Sequence, residues 1–213
     1  MDELELLKKD WQKENSKYPK LTYNEIYKMI LKKSSSIVKW IFIISILEFV
    51  FWTGISFLLK DASFNETLEN LDMNHILIPL SVFTYIILAY FFYLFFRNYR
   101  RISATDSTKK LMENILKTRQ TVKYYVGFNL IMFVIGTFIG VFYVIGNDDS
   151  FSAQIDQATA NGEILKLYAV VIITTVVALA IMVGILLLFY YLIYGILLKR
   201  LNKNYRELKK LEI

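Results

Sequence analysis

Four long apolar runs decide what this sequence can fold into. They cover Trp40–Leu59, Ile76–Phe96, Tyr124–Ile145 and Leu167–Leu198, and Glu48 is their single Asp, Glu, Lys, Arg or His residue. About 20 apolar residues in a helix cross a bilayer core of about 30 Å. A surface helix of a soluble protein keeps one polar face, which these runs lack. We therefore predict an all-α fold, a polytopic membrane four-helix bundle.

The bundle is expected to have helical extensions outside the membrane. We place the spans at about 38–59, 76–97, 122–146 and 165–192, within a membrane domain of residues 37–198. An N-terminal helical segment, 1–36, precedes this domain, and a C-terminal helix, 199–213, follows it.

The fourth run is too long for a simple span. Its 32 residues extend about 48 Å as a helix, so the helix either tilts strongly or projects from the membrane. Tyr190, Tyr191 and Tyr194 are typical of an aromatic belt at the membrane surface, which favours projection.

Basic residues predict the orientation. Lys and Arg number nine in 1–39, eight in 97–123 and six in 199–213, but one each in 60–75 and 146–166. The positive-inside rule then puts both termini and the helical extensions in the cytoplasm. The first 36 residues are charged and the first apolar run is too long for a cleaved signal peptide, so we expect a multi-pass protein of the cell inner (cytoplasmic) membrane.

Composition excludes several kinds of site. The chain has no cysteine and one histidine, His75, so thiolate metal centres and sites needing several imidazoles are ruled out within one chain. No catalytic motif is recognisable. We therefore assign no catalytic, cofactor-binding or metal-binding residue and predict a non-enzymatic protein. The basic clusters lie next to the spans, which favours the lipid bilayer over nucleic acid as their partner.

Glu48 is the most informative single residue. It lies about 12 Å along the helix from Trp40, close to the bilayer midplane, where a charge is costly. No Lys or Arg occurs in the runs, so we expect a protonated carboxyl turned into the bundle. Two interpretations stay open: a proton or substrate site, and a hydrogen bond that holds helices together, which the absence of a second ionisable group favours. The predicted intramembrane polar cluster comprises Glu48, Ser45, Ser56, Tyr85, Thr84 and Asn129, with Tyr85 and Thr84 as the nearest polar neighbours.

Small residues in the third run suggest helix packing. Gly136 and Gly140 are four residues apart, a spacing that permits close approach of a neighbouring helix.

Helix signals also mark the extensions. Thr22 and Glu25 have capping-box spacing before the first span. Between the third and fourth runs, Asn147–Asp149 is interpreted as a solvated turn. A stripe with three- and four-residue spacing, Leu198, Leu201, Tyr205 and Leu208, predicts that the last helix continues to near Leu211.

The N-terminal segment presents an apolar face. Leu4, Leu7 and Trp11 share one side of a predicted short helix and form a candidate cytoplasmic interaction face.

Three stretches carry a resemblance. They are Glu5-Leu6-Leu7-Lys8-Lys9-Asp10-Trp11, Glu25-Ile26-Tyr27-Lys28-Met29-Ile30 and Lys33-Ser34-Ser35-Ser36-Ile37-Val38-Lys39. In this order before the first span, they resemble uncharacterised four-helix integral membrane proteins of Flavobacteria and other Bacteroidota, often encoded beside extracytoplasmic-function sigma factors. The resemblance implies an interaction or regulatory protein, an anti-sigma-like anchor for a cytoplasmic partner such as a sigma factor.

A second hypothesis is a small proton-coupled transporter or exporter that uses Glu48. Small multidrug exporters share the design of four helices with a glutamate in the first, but they lack long extensions. The oligomeric state stays open, with a homo-oligomer as one option.

Overall fold

The computed structural model describes residues 22–58, 74–105 and 107–211, and in these ranges the chain is helical without strands. A π-helical stretch, Tyr191–Gly195, joins the last two α-helices without a break. The α-helices are α1 Tyr23–Leu58, α2 Asn74–Ser103, α3 Thr108–Asn147, α4 Asp149–Ala160, α5 Ile164–Tyr190 and α6 Ile196–Leu211.

Four helical segments are long and apolar enough to cross a membrane. They are α1, α2, α3 and the continuous helix from Ile164 to Leu211. The prediction of an all-α, four-helix, multi-pass membrane protein is thereby confirmed. Each predicted span lies within one of these segments, apart from residue 59, which is outside the described residues. The predicted face of Leu4, Leu7 and Trp11 also lies outside them.

The helices pack along seams with a heptad spacing. Buried positions recur every three or four residues, the pattern of left-handed coiled coils, in which helices cross at about 20°. The seam of α1 is Ile30, Ser34, Val38, Ile41, Ser45 and Glu48, and that of α3 is Thr108, Leu111, Ile115, Thr118, Val122 and Tyr125.

One core lies outside the apolar runs. We call this end of the molecule, where Lys and Arg concentrate, the basic end. There α1, α3 and α6 continue beyond their apolar runs by about 25, 24 and 20 Å. Their apolar faces close on a core of Ile30, Val38, Ile102, Leu111, Ile115, Leu201 and Leu208, the last two of which belong to the predicted stripe.

Buried hydrogen bonds fix the alignment of the helices at the basic end. Asn204 Nδ2 donates to Ser34 Oγ across 3.0 Å, and Asn98 Nδ2 donates to Thr121 Oγ1 across 3.0 Å. Both asparagines are about 95% buried, so their amides depend on these partners. A polar pair within an apolar seam specifies one register of the helices.

The N-terminus of α1 has the predicted cap. Glu25 Oε2 accepts hydrogen bonds from the backbone N–H of Thr22 at 2.7 Å and from its hydroxyl at 2.9 Å. These bonds lower the pKa of the exposed Glu25 carboxyl. The capping box predicted from the sequence is therefore present.

The helices diverge toward the opposite end, which we call the acidic end. No described residue is buried on α1 after Glu48, on α2 before Leu88, on α3 after Tyr125 or on α5 before Tyr190. In this half α5 packs along α3 and α4. The bundle is thus closed at the basic end and open from Glu48 onward.

A short helix at the acidic end was not predicted. The turn expected at 147–149 is reduced to Asp148, because α3 ends at Asn147 and α4 begins at Asp149. The Asp148 side chain accepts a hydrogen bond from the backbone N–H of Phe151 at 2.8 Å. An aspartate at this position is a strong N-cap. The helix ends before Gly162, whose φ of 71° suits glycine.

Candidate functional site

Three tyrosines surround Glu48 near the middle of the membrane-spanning region. Tyr194 Oη donates a hydrogen bond to Glu48 Oε2 at 2.8 Å, and Tyr125 Oη donates to the same oxygen at 3.1 Å. The Tyr190 hydroxyl also interacts with the carboxyl. Glu48 is 7% exposed and Tyr194 1%, so the hydrogen-bonded groups of this carboxyl–tyrosine cluster are buried.

The heptad seams bring the cluster together. Glu48 and Tyr125 are the last buried seam positions of α1 and α3. Tyr190 lies directly before the π-helical stretch, and Tyr194 is the fourth of its five residues. The rings hold one another in place, with centroids 5.9 Å apart for Tyr125 and Tyr194 and 6.0 Å for Tyr190 and Tyr194. Phe95 packs edge-on against Tyr125 at 5.5 Å. Such ring contacts leave the hydroxyls little freedom.

The tyrosine hydroxyls of the cluster can form hydrogen bonds with the Glu48 carboxyl group in either of its protonation states. A carboxylate oxygen accepts hydrogen bonds, and a tyrosine hydroxyl can both donate and accept. Two hydroxyl donors on one oxygen partly replace the cation that the apolar runs lack. The protonated state predicted for Glu48 stays a prediction.

A cavity of about 340 Å³ opens from Glu48 toward the acidic end. All four membrane-spanning helices contribute to it. Its walls are Phe49, Trp52, Thr53 and Ser56 of α1, Tyr85 and Leu88 of α2, Tyr125, Asn129 and Phe133 of α3, and Met182, Leu186 and Tyr190 of α5. On the basic side of Glu48 the tyrosine cluster and the aromatic core around Phe91 and Phe95 close the bundle.

The predicted polar cluster divides between the cavity and the helix backbones. Glu48, Ser56, Tyr85 and Asn129 all line the cavity. Ser45 is fully buried one turn away and donates to the carbonyl of Phe42. The same backbone bonding occupies three further members: Ser56 donates to the carbonyl of Trp52, Thr84 to that of Leu80, and Asn129 to that of Tyr125.

The predicted neighbours of Glu48 were wrong. Its hydrogen-bond donors are Tyr125 and Tyr194, whereas Thr84 is committed to its own helix. Tyr85 is 52% exposed and faces the cavity. Tyr85 and Glu48 line one cavity and so lie at a similar level of the bundle, but level does not state which face of a helix turns inward.

The aromatic belt predicted in the fourth run was also wrong in two of three members. Tyr190 and Tyr194 are buried against Glu48, and Tyr191 alone is exposed, at 68%. Extending the predicted stripe backward from Leu198 by four residues would have reached Tyr194, but the next step of three reaches the exposed Tyr191 instead of Tyr190. The spacing therefore indicated one of the two buried tyrosines.

The glycine pair does not mediate close helix contact. A Cβ added at Gly136 or Gly140 would meet no atom within 4 Å. Both glycines instead line a second cavity of about 640 Å³ between α3, α4 and α5, with Phe151 and Thr175 on its other sides. The helices diverge here, so small residues meet open space.

Within the described part of the chain, no three His, Asp or Glu side chains gather where they could hold a metal ion.

Comparison with known proteins gives a family without an assigned role. The model of a family described as a domain of unknown function (DUF8845) matches residues 24–213, so the chain belongs to that family. No curated protein and no solved structure matches the chain.

Proposed function

We propose that this member of the DUF8845 family is a non-enzymatic regulatory protein of the inner membrane that holds a protein partner on its basic end, in the cytoplasm. The observation that carries the proposal is the second core at the basic end. Spanning a membrane does not require helices that continue about 20–25 Å further and pack around seven buried apolar residues. A rigid helical platform of this kind suits protein binding.

Charge supports an acidic partner. Among the described residues, the basic end carries Lys and Arg on every helix, whereas its described carboxylates are Glu25, Glu113 and Glu207. Two of these are occupied by intrahelical partners, in Lys117–Glu113 at 2.5 Å and Lys203–Glu207 at 4.0 Å. Most of the positive charge is thus available to an acidic protein surface or to anionic lipid headgroups.

The partner suggested by the resemblance is a sigma factor. The apolar face of Leu4, Leu7 and Trp11 would add hydrophobic contact to the charged platform. This face precedes residue 24, where the family match begins, so we expect it to adjust partner choice while the platform supplies the shared binding surface.

The test is co-purification of the full tagged chain in a mild detergent, followed by mass spectrometry. A sigma factor or another acidic cytoplasmic protein retained at a fixed ratio is the expected result. Triple substitution of Leu4, Leu7 and Trp11 by Ser should weaken its retention, and Lys209→Glu with Lys210→Glu should weaken it further. Retention of lipids without any protein would refute the proposal.

The cavity favours a second function, a small proton-coupled transporter or exporter. Its carboxyl group lies at the closed end of a cavity that opens toward one side of the bundle. A transporter with its gate closed on the other side would have this form. Proton-driven uptake or efflux in vesicles that disappears in Glu48→Gln would establish it, and transport unaffected by that substitution would exclude Glu48 as the coupling group.

A further inference from the structure

We propose that the cavity beside Glu48 binds a monovalent organic cation with an apolar body. The positive group would lie between the Glu48 carboxylate and the aromatic walls. This inference concerns binding alone and holds whether the site serves regulation or transport.

Glu48 is the single Asp, Glu, Lys, Arg or His residue among those that line the cavity, so the site is negative and unbalanced whenever this carboxyl group is ionised. The four apolar runs contain no Lys or Arg, and the described partners of the Glu48 carboxyl are tyrosine hydroxyls. A lone carboxylate far from water is costly, and a cationic ligand relieves that cost. The same charge repels anionic ligands.

The walls of the cavity suit a cation as well. Six of the lining residues are aromatic, and a ring face attracts a cation within about 6 Å of its centroid. Phe49 holds its ring edge-on to Tyr85, with centroids 5.8 Å apart, so this wall is preformed. Aromatic rings around one carboxylate are the arrangement that recognises alkylammonium groups.

The size of the cavity limits the ligand. A volume of about 340 Å³ is at the lower end of the range for small-molecule sites. Leu88, Met182 and Leu186 are apolar and would surround a hydrocarbon body, and Thr53, Ser56 and Asn129 add three polar side chains to the walls. A lipid acyl chain could also enter from the bilayer, but it would leave the carboxylate unpaired.

Binding of a cation should compete with binding of a proton at Glu48. The other titratable groups that face it are Tyr85 from α2, Tyr125 from α3, and Tyr190 and Tyr194 from the last helix. None of these is a cation at any pH. Affinity should therefore fall as acid protonates Glu48, and a neutral ligand should show no such fall.

The test uses the purified full chain in detergent, with benzyltrimethylammonium as the probe and its neutral isostere neopentylbenzene as the control. Trp52 lines the cavity, so replacing Trp11 and Trp40 by Phe leaves a single fluorescent reporter at the site. We expect saturable fluorescence change with the cation and at least tenfold weaker binding of the isostere. Glu48→Gln should lower the affinity for the cation at least tenfold.

Matched variants separate binding from folding. Phe49→Leu removes a wall ring and should weaken binding, whereas Phe57→Leu alters a ring of the same helix that is 76% exposed and outside the cavity, and should not. If Glu48→Gln fails to fold, the pH dependence of the folded parent decides instead. Equal binding of cation and isostere, or saturable binding of neither, would overturn the proposal. Binding without transport would sustain it while removing the transporter hypothesis.

Discussion

Removal of one hydroxyl from the carboxyl–tyrosine cluster should measurably destabilise the bundle. Tyr194→Phe deletes the 2.8 Å donor to Glu48 but keeps the ring, which is 1% exposed, so no cavity forms. Hydrogen bonds to charged groups contribute about 1.5–3 kcal/mol in proteins, whereas those between membrane helices average about 0.6 and reach about 1.7 kcal/mol. Tyr125 still donates to the same oxygen. We expect a loss of about 1–2 kcal/mol in the free energy of unfolding.

The measurement is reversible unfolding in mixed micelles, followed by circular dichroism. Tyr191→Phe is the matched control, because this side chain lies three residues away and is 68% exposed. It should change stability by less than about 0.5 kcal/mol.

A double-mutant cycle with Glu48→Leu, which removes the acceptor oxygens, tests whether the two side chains act together. Residues in contact couple by about 0.5–3 kcal/mol. Equal effects of Tyr194→Phe and Tyr191→Phe, or full additivity with Glu48→Leu, would refute the assigned hydrogen bond.

Three further predictions concern positions outside this cluster. Asn204→Leu should destabilise the basic end by about 1–3 kcal/mol in the same unfolding assay, because the substitution leaves the buried Ser34 hydroxyl on α1 unpaired. An unchanged free energy of unfolding would show that the Asn204–Ser34 hydrogen bond does not stabilise the fold. Gly136→Ala and Gly140→Ala should leave stability unchanged or raise it by up to about 1 kcal/mol, since an added Cβ meets open space, and a large loss would show that a helix packs there. The pKa of Glu25 lies below its ordinary value of 4.5 through hydrogen bonds from Thr22, so its contribution to stability is present above that pH and is lost as the pH falls through the lowered value. Thermal melting of Glu25→Gln, which keeps the capping geometry, should lack that part of the acid sensitivity, and an unchanged pH profile would contradict the assignment.

The fold was predictable because its signals are long. Four apolar runs suffice to place four membrane helices, and the repeat from Leu201 to Leu208 suffices to extend the last one. The capping box at Thr22 and Glu25 is a local signal and was likewise read correctly. α4 was missed because its helix-forming residues are few and polar, so that the aspartate cap resembles a turn.

The site was predictable in its central residue but not in its partners. An acid within an apolar run identifies Glu48 without any structure. Its donors come from positions 77 and 146 residues further along the chain. Which faces meet depends on the rotation of each helix, and a run that is apolar all round carries little rotational signal. The heptad spacing at the basic end does indicate the rotation of a helix. It predicts the buried face within an apolar run only when the same spacing is continued into that run.

The π-helical stretch explains why the tyrosines lie where they do. A π-helical turn holds more residues than an α-helical turn, is rare, and occurs mostly as single turns at functional sites. Here it covers Tyr191–Gly195, beside the buried carboxyl group, at the level where the closed bundle gives way to the open half. Tyr190 and Tyr194 both face Glu48, whereas Tyr191, the first residue of the π-helical stretch, faces outward. Binding of a proton or of a cation at Glu48 would thus act on the π-helical stretch, the segment of this helix whose backbone hydrogen bonding departs from the α-helical pattern. The same helix continues into the core at the basic end.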